Sequence, residues 1–230
     1  MFKNSQLVAS ESSNLLTSKQ QHLLRAIAIL VVISLLTSAG GSPIEHNVST
    51  PWEGFIWGIA DPVISLDRFA LIVALGLFSA RFARGNWLNI TFVIAAVCGQ
   101  LINLSPVILP GSAIAIAICT ITLSVMLVTP IPVHWLAMPL ASAAIAIFCA
   151  TAGIFQGYAH ATSIIGAEIF TVIPFIISVA FSQAVIIMSA REISVTFGIN
   201  EINQILPKII RFAGLVFCAI GIVFLAYSVI

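Results

Sequence analysis

Charged residues are scarce in this chain of 230 residues: Asp, Glu, Lys and Arg together make up 7% of it, against 60% hydrophobic residues. The mean hydropathy is +1.14. A soluble domain cannot bury that much apolar surface, so the composition indicates an integral membrane protein surrounded by the lipid bilayer. The net charge of +1 and the pI near 7.7 exclude the basic surface that binds nucleic acid.

Paired cysteines and catalytic signatures are also lacking. The four cysteines stand alone inside apolar runs and no C-x-x-C pair occurs, which argues against a disulfide framework and a thiolate zinc site. The sequence contains no phosphate-binding loop, nucleophile–base pair or cofactor fingerprint. We therefore expect neither an enzyme nor a resident cofactor.

Long apolar runs are what the chain does contain. A helix that crosses a bilayer needs about 20 mostly apolar residues. Seven runs approach that length: 24–39, 62–81, 87–108, 112–129, 133–155, 167–190 and 206–229. Turn-forming strings separate them, among them "GGSP", "LPGS" and "FQGYAHATS". The sequence predicts an all-α, polytopic membrane helix bundle over residues 24–230, with seven transmembrane helices and a polar cytoplasmic arm at 1–23. If the first run is a cleaved signal peptide, six helices remain.

Lysine and arginine are distributed unevenly between the connections, and this bias sets the orientation of a membrane protein. With seven helices, three basic groups fall on one side, which is then cytoplasmic. The groups are Lys3, Lys19 and Arg25; Arg81 and Arg84; and Arg191, Lys208 and Arg211. The pattern predicts a cytoplasmic N-terminus and an outside C-terminus, in a plasma membrane or a bacterial internal membrane.

Small residues are concentrated in the fifth run, which contains the string "PLASAAIAIFCATAG". In lipid, such residues let two helix backbones approach closely. We therefore expect this helix at the centre of the bundle.

The string "ADPVISLDRFA" brings two aspartates and an arginine to an apolar run. Asp61 and Pro62 are typical of the start of a helix, where aspartate caps free backbone N–H groups and proline fits the first turn. Asp67 then lies more than a turn inside the helix among apolar neighbours, where an unpaired charge costs at least about 2.5 kcal/mol. Asp67 is therefore either part of a functional site or half of a structural ion pair.

Further polar residues are expected at the same end of the bundle. They are Gln100, Asn103, Gln156, Tyr158, His160 and Glu168. His160 also fits a loop histidine bonded to backbone, and Glu168 also fits a carboxylate at the positive end of a helix dipole. Taken together, carboxylates, imidazole and amides are a ligand set suited to a divalent cation.

Two strings resemble the signatures of the HupE/UreJ family of small nickel and cobalt permeases. "GFIWGIADPVISLDRFALIVALGLFSA" is similar to H-P-x-x-G-x-D-H followed by an apolar helix with a Gly-Leu pair. "FQGYAHATSIIGAE" is similar to F-H-G-Y-A-x-G-E-x-x-x-G-A-E. The likeness covers about residues 54–190. It implies a multi-helix plasma-membrane bundle with a metal entry site on its outer face.

The departures from these signatures leave two interpretations open. Asp61, Arg68 and Gln156 stand where the family has histidines, whereas Asp67 and Glu168 are retained. In one interpretation, Ni²⁺ or Co²⁺ is the transported ion and Arg68 turns away from it. Its ligands are then Asp61, Asp67, His160 and Glu168. In the other, the site no longer binds metal, Arg68 pairs with a carboxylate, and the protein is a non-transporting subunit that packs against partner subunits of a larger membrane complex.

Overall fold

The computed structural model of the chain describes residues 50–82, 85–105, 107–129, 138–199 and 205–229, and these are all-helical. The helices are α1 (Pro51–Ile64), α2 (Leu66–Ser79), α3 (Asn86–Leu104), α4 (Ser112–Val128), α5 (Pro139–Ala161), α6 (Ile169–Ile199) and α7 (Ile205–Val229), with a 3₁₀ turn at Thr162–Ile164. The all-α class is confirmed. The predicted arm at 1–23 and the predicted first helix at 24–39 lie outside the described residues.

Four of the described helices, α3, α5, α6 and α7, are long and apolar enough to cross a membrane. Helices α1 and α2 meet that condition only together, because they are bent by 77° at their junction. Helix α4 has 17 residues, which is the lower end of the usual spanning length. The described residues thus contain up to five spans by length and composition, and the predicted total of seven stays a prediction.

The first described helix begins eleven residues earlier than predicted, at Pro51 rather than Pro62. Thr50 caps it: its hydroxyl accepts from the Glu53 N–H at 3.2 Å, and the Glu53 carboxylate accepts from the Thr50 N–H at 3.2 Å. This reciprocal pair is a capping box, and the string "TPWE" carries its sequence signature. The interpretation of Asp61 as a helix start was therefore wrong, and Asp61 lies in the last turn of α1.

The predicted segment 62–81 is not one helix. Ser65, with φ −88° and ψ 108°, is extended and separates α1 from α2. Pro62 lies inside α1, where it cannot donate the N–H bond that a helix interior needs, and α1 ends two residues later. The break puts Asp67 in the first turn of α2 rather than deep inside a longer helix.

Two other boundaries also differ from the prediction. The string "FQGYAHATS" was expected to be a loop, but α5 continues to Ala161 and includes most of it. Helix α6 was expected to end near residue 190 and continues to Ile199. Hydropathy marks where a chain leaves the apolar layer, whereas the helix can continue beyond it for several turns.

Glycine allows α3 and α5 to pack with their backbones close together. A Cβ on Gly157 would overlap the carbonyl oxygen of Ala96 and lie 2.6 Å from its carbonyl carbon. Gly153 approaches Phe92 in the same way, so α3 and α5 run parallel. Gly153 and Gly157 form a G-x-x-x-G pair, the spacing that favours close helix contact in membranes.

The centre of the described bundle is α2, not α5 as expected. Ten of the 14 residues of α2 are buried, and they include Phe69, Leu71 and Phe78. Several exposed positions of α5, such as Leu140 and Ile147, are large apolar side chains. The small residues of α5 therefore serve its contact with α3 rather than a central position.

Contacts along α6 favour a broken span over a re-entrant loop for α1 and α2. A Cβ on Gly54 would lie 2.5 Å from the Thr171 carbonyl oxygen, and one on Gly76 would lie 2.5 Å from that of Ile187. The contacts thus advance by sixteen residues, or about 24 Å, along α6. A re-entrant loop would return to the side from which it entered, whereas this pair progresses in one direction.

Cationic side chains from three helices meet at one end of the bundle, here called the cationic end. Arg81 follows α2 and is close enough to Arg211 of α7 for electrostatic repulsion. The Arg191 side chain of α6 lies beside Gly85, just before α3. Three basic residues that the sequence assigned to one side of the membrane are therefore at the same end.

Arg81 also caps the C-terminus of α4. Its guanidinium donates to the carbonyl oxygens of Met126 at 2.8 Å, Leu127 at 2.7 Å and Thr129 at 3.1 Å. These carbonyls have no partner within the helix, and a cation suits the negative end of the helix dipole.

We expect Arg81→Gln to lower the free energy of unfolding by about 2 kcal/mol, because charge-assisted hydrogen bonds are lost and partly buried carbonyls remain without them. Thermal unfolding in detergent measures the change. Glu192→Gln is the control, because the Glu192 side chain is 62% exposed and an exposed ion pair contributes little to stability. Equal melting temperatures for the two variants would contradict the capping role.

Candidate site at the break between α1 and α2

The break brings together two charges that a continuous helix would hold apart. Residues seven apart share a face of a straight helix but lie about 10.5 Å apart along its axis. Here Nη1 of Arg68 lies 3.3 Å from Oδ2 of Asp61, and the side chains are only 14% and 15% exposed. The bend at Ser65 thus converts two charges two turns apart into an ion pair.

Helix α5 contributes an imidazole and an amide to this pair. Nδ1 of His160 contacts Oδ2 of Asp61, and the His160 side chain is fully buried. Nε2 of Gln156 lies 3.4 Å from Nε2 of His160 and donates to the Arg68 carbonyl oxygen at 3.3 Å. A neutral His160 satisfies this geometry if it donates from Nδ1 to Asp61 and accepts on Nε2 from Gln156.

Both charged groups of the pair are at the unfavourable end of their own helix. Asp61 lies in the last turn of α1, where the helix dipole is negative, and Arg68 lies in the first turn of α2, where it is positive. The helix dipoles therefore stabilise neither charge. The pair depends on the direct contact between Asp61 and Arg68 and on the hydrogen bond to His160.

An apolar cluster borders the ion pair. It consists of Ala161, Ile164, Val172, Phe175 and Val179, with Trp57 packed against it. Ala161 follows His160 in the chain, and Trp57 precedes Asp61 by one helical turn. Low polarity around an ion pair strengthens its attraction and raises the penalty of losing one partner.

The structure joins two of the four predicted metal ligands, Asp61 and His160. Asp67 is half-buried and makes no ion pair or side-chain hydrogen bond within the described ranges, although its charge acts on His160. Glu168 is exposed directly before α6, and its backbone oxygen accepts from Thr171 and Val172. Among the described residues, no three His, Cys, Asp or Glu side chains are grouped closely enough to hold a metal ion.

Sequence reasoning missed the break, and although one of its interpretations paired Arg68 with a carboxylate, it did not identify Asp61 as the partner. It also placed His160 in a loop, whereas the histidine lies in the last turn of α5. The capping box at Thr50 was the signal that could have found the break. A helix that begins at Pro51 makes Pro62 an interior proline, which indicates a kink or an end close by.

The HupE / UreJ protein family model matches residues 27–224 of the chain. The chain belongs to this family. No curated protein and no solved structure matches the chain. As a HupE/UreJ protein with several apolar helices, it is an integral, multi-pass membrane protein.

Within the HupE/UreJ pattern, the site contains a protein cation where the family signature has a histidine. Nη1 of Arg68 lies 3.4 Å from Nδ1 of His160, and both approach the same Asp61 oxygen. Gln156, which also replaces a family histidine, holds the backbone of Arg68 through its amide. The two departures from the signature are therefore parts of one connected arrangement.

Proposed function

We propose that this HupE/UreJ protein is a permease for a divalent transition metal, nickel or cobalt, rather than an enzyme. The observation that carries the proposal is a spanning segment broken at Ser65, with a carboxylate and an imidazole at the break. Broken helices inside membranes are tolerated where they line a cavity or a substrate site. Ionisable residues within a membrane-spanning segment are costly and are typical of ion pathways.

Asp61 and His160 are the ligands best placed to receive the ion, with Asp67 and Glu168 as further carboxylates of the proposed path. Two unit charges about 4 Å apart repel by about 4 kcal/mol at an effective dielectric of 20, and a divalent ion doubles this. Arg68 must therefore leave Asp61 when the ion arrives. In this proposal the guanidinium balances the carboxylate between transport events.

The cationic end supports the orientation that belongs to this proposal. Arg81, Arg191 and Arg211 lie together there, and positive residues favour the cytoplasmic side. Because α3 starts at that end and runs parallel to α5, the C-terminus of α5 with His160 is toward the opposite face. The ion would then enter from outside the cell.

Asp61→Asn should abolish uptake of radiolabelled cobalt or nickel, with a fall of at least about tenfold. The amide keeps the shape but removes the charge that pairs with a cation, and tenfold corresponds to only about 1.4 kcal/mol. Glu192→Gln is the matched control, because the Glu192 side chain is 62% exposed and lies outside the site. Equal uptake by Asp61→Asn and the control would exclude the proposed site.

A second candidate function is a non-transporting membrane subunit, and the closed Asp61–Arg68 pair favours it. In that case Arg68 permanently neutralises Asp61, and the family's metal site has become a structural contact between α1, α2 and α5. Partner subunits of a larger complex would then use the bundle as a scaffold. Cells that express the protein would show no uptake above that of cells without it.

A further inference from the structure

Three amide side chains inside the bundle have no hydrogen-bond partner in the part of the chain that is described. Gln100 and Gln183 are fully buried and Asn89 is 2% exposed. In all three amides, neither the nitrogen nor the oxygen makes a hydrogen bond to a described residue. An unsatisfied buried polar atom costs about 1–3 kcal/mol, so six of them indicate partners other than the groups of the described residues, and water is one such partner.

Two of these amides lie on one face of α3. Asn89 and Gln100 are eleven residues apart, which is close to three full turns and about 16 Å of helix. Asn103 lies three residues beyond Gln100 on the same side, donates to the Tyr158 carbonyl oxygen at 2.9 Å, and leaves its own oxygen unpaired. The face therefore carries polar atoms through about half the thickness of a bilayer core.

Gln100 is at the level of the ion pair. Ala96, one turn before it, touches Gly157 of α5, and Asn103, just beyond it, bonds Tyr158. Gln156, which holds Arg68 and His160, immediately precedes Gly157, and its side-chain oxygen is also buried and unpaired. The end of the polar face of α3 that is remote from the cationic end is therefore level with the site at the break.

Asn89 and Gln183 lie at a similar level along the axis of the bundle. A cleft of about 120 Å³ between α3 and α6 is lined by Asn89, Ala184 and Met188, together with Ile90, Val93 and Ile94. Ala184 directly follows Gln183, so the cleft places Asn89 beside the same turn of α6. Asn89 is also only three residues from the start of α3, near the cationic end.

We propose that Gln156, Gln100, Gln183 and Asn89 line a hydrated track that leads from the ion pair toward the cationic end. Water satisfies amide donors and acceptors alike, and amide oxygens are ligands that a small cation can use. The part of the proposal that concerns the cation rests on the proposed permease function. The part that concerns water does not.

Cysteine accessibility tests the track without reference to transport. In a background with the four native cysteines replaced by alanine, Gln100→Cys and Gln183→Cys are treated in native membranes with a small, charged methanethiosulfonate. Leu123→Cys is the control, because Leu123 is buried in the apolar core on α4, a helix that carries none of the four amides. Since these reagents attack the thiolate, which forms in water, we expect the two glutamine positions to react at least about tenfold faster than the control. Equal rates would overturn the track.

Leucine variants give an independent measurement if a cysteine variant does not fold. We expect Gln100→Leu and Gln183→Leu to lower cobalt uptake at least fivefold while cobalt binding in detergent stays unchanged. If the leucine variants take up cobalt as fast as the wild type and melt at a higher temperature, the amides are unsatisfied but not hydrated, and the track is overturned. If the two cysteines react fast but the wild type takes up no cobalt, the permease function is contradicted and the track is supported. If the wild type takes up cobalt but the two cysteines react slowly, only the track is contradicted.

Discussion

Gly157→Val is expected to cost at least about 3 kcal/mol of stability, the upper end of the range for overpacking a core. A Cβ at this position would overlap the Ala96 carbonyl oxygen of α3, and backbone cannot rotate away as a side chain can. Helices α3 and α5 would have to separate along their whole contact. Because α5 carries Gln156 and His160, the same change would also displace these side chains from Arg68 and Asp61.

The control for Gly157→Val is Ala144→Val, which adds the same branched side chain to α5 at an exposed position. Thermal unfolding in detergent and the yield of monodisperse protein measure both effects. The control is expected to change stability by no more than about 0.5 kcal/mol. A similar melting temperature for the two variants would contradict the close packing of α3 against α5.

Arg68→Ala should destabilise the bundle by about 3–5 kcal/mol, the usual penalty when one partner of a buried ion pair is removed. Asp61 would keep the contact with His160 but lose its cation at 3.3 Å. Detergent thermal stability measures the loss, and Arg211→Ala is the control at an exposed arginine.

Arg68→His distinguishes the two candidate functions. Histidine restores the family's residue type and offers a neutral ring that can bind a metal, whereas arginine stays protonated. If the protein is a permease, this variant should bind cobalt at least as tightly as the wild type, as measured by calorimetry. Micromolar binding of cobalt by the wild type would eliminate the scaffold. No binding by either the wild type or Arg68→His would eliminate the permease.

Hydropathy predicted the all-α class and most helix positions because lipid requires long apolar helices whatever their packing. For α4 it predicted residues 112–129, and the helix spans Ser112–Val128; for α7 it predicted residues 206–229, and the helix spans Ile205–Val229. It did not reveal the break at Ser65, because a bent apolar segment has the same mean hydropathy as a straight one. It also misplaced the end of α5, since Gly157 is as typical of a turn as of a close helix contact.

The site was only partly predictable for a geometric reason. The sequence brought Asp61, His160 and Arg68 into consideration through residue type and resemblance. Their contact, however, depends on a 77° bend and on the depth at which α5 ends. Asp67 seemed to need a partner because it was placed deep in a helix. In the first turn of α2 it benefits from the positive end of the helix dipole instead.

The spacing of the ion pair has a consequence for how the protein enters the membrane. Asp61 and Arg68 are seven residues apart, whereas His160 is separated from Asp61 by 99. The carboxylate and the guanidinium therefore belong to one segment leaving the ribosome and can neutralise each other at once. Each would otherwise add about 2.5–3.5 kcal/mol to the cost of insertion. The imidazole contact can form only after α5 has been synthesised, so the spacing allows the two charges to pair during biogenesis before the complete site exists.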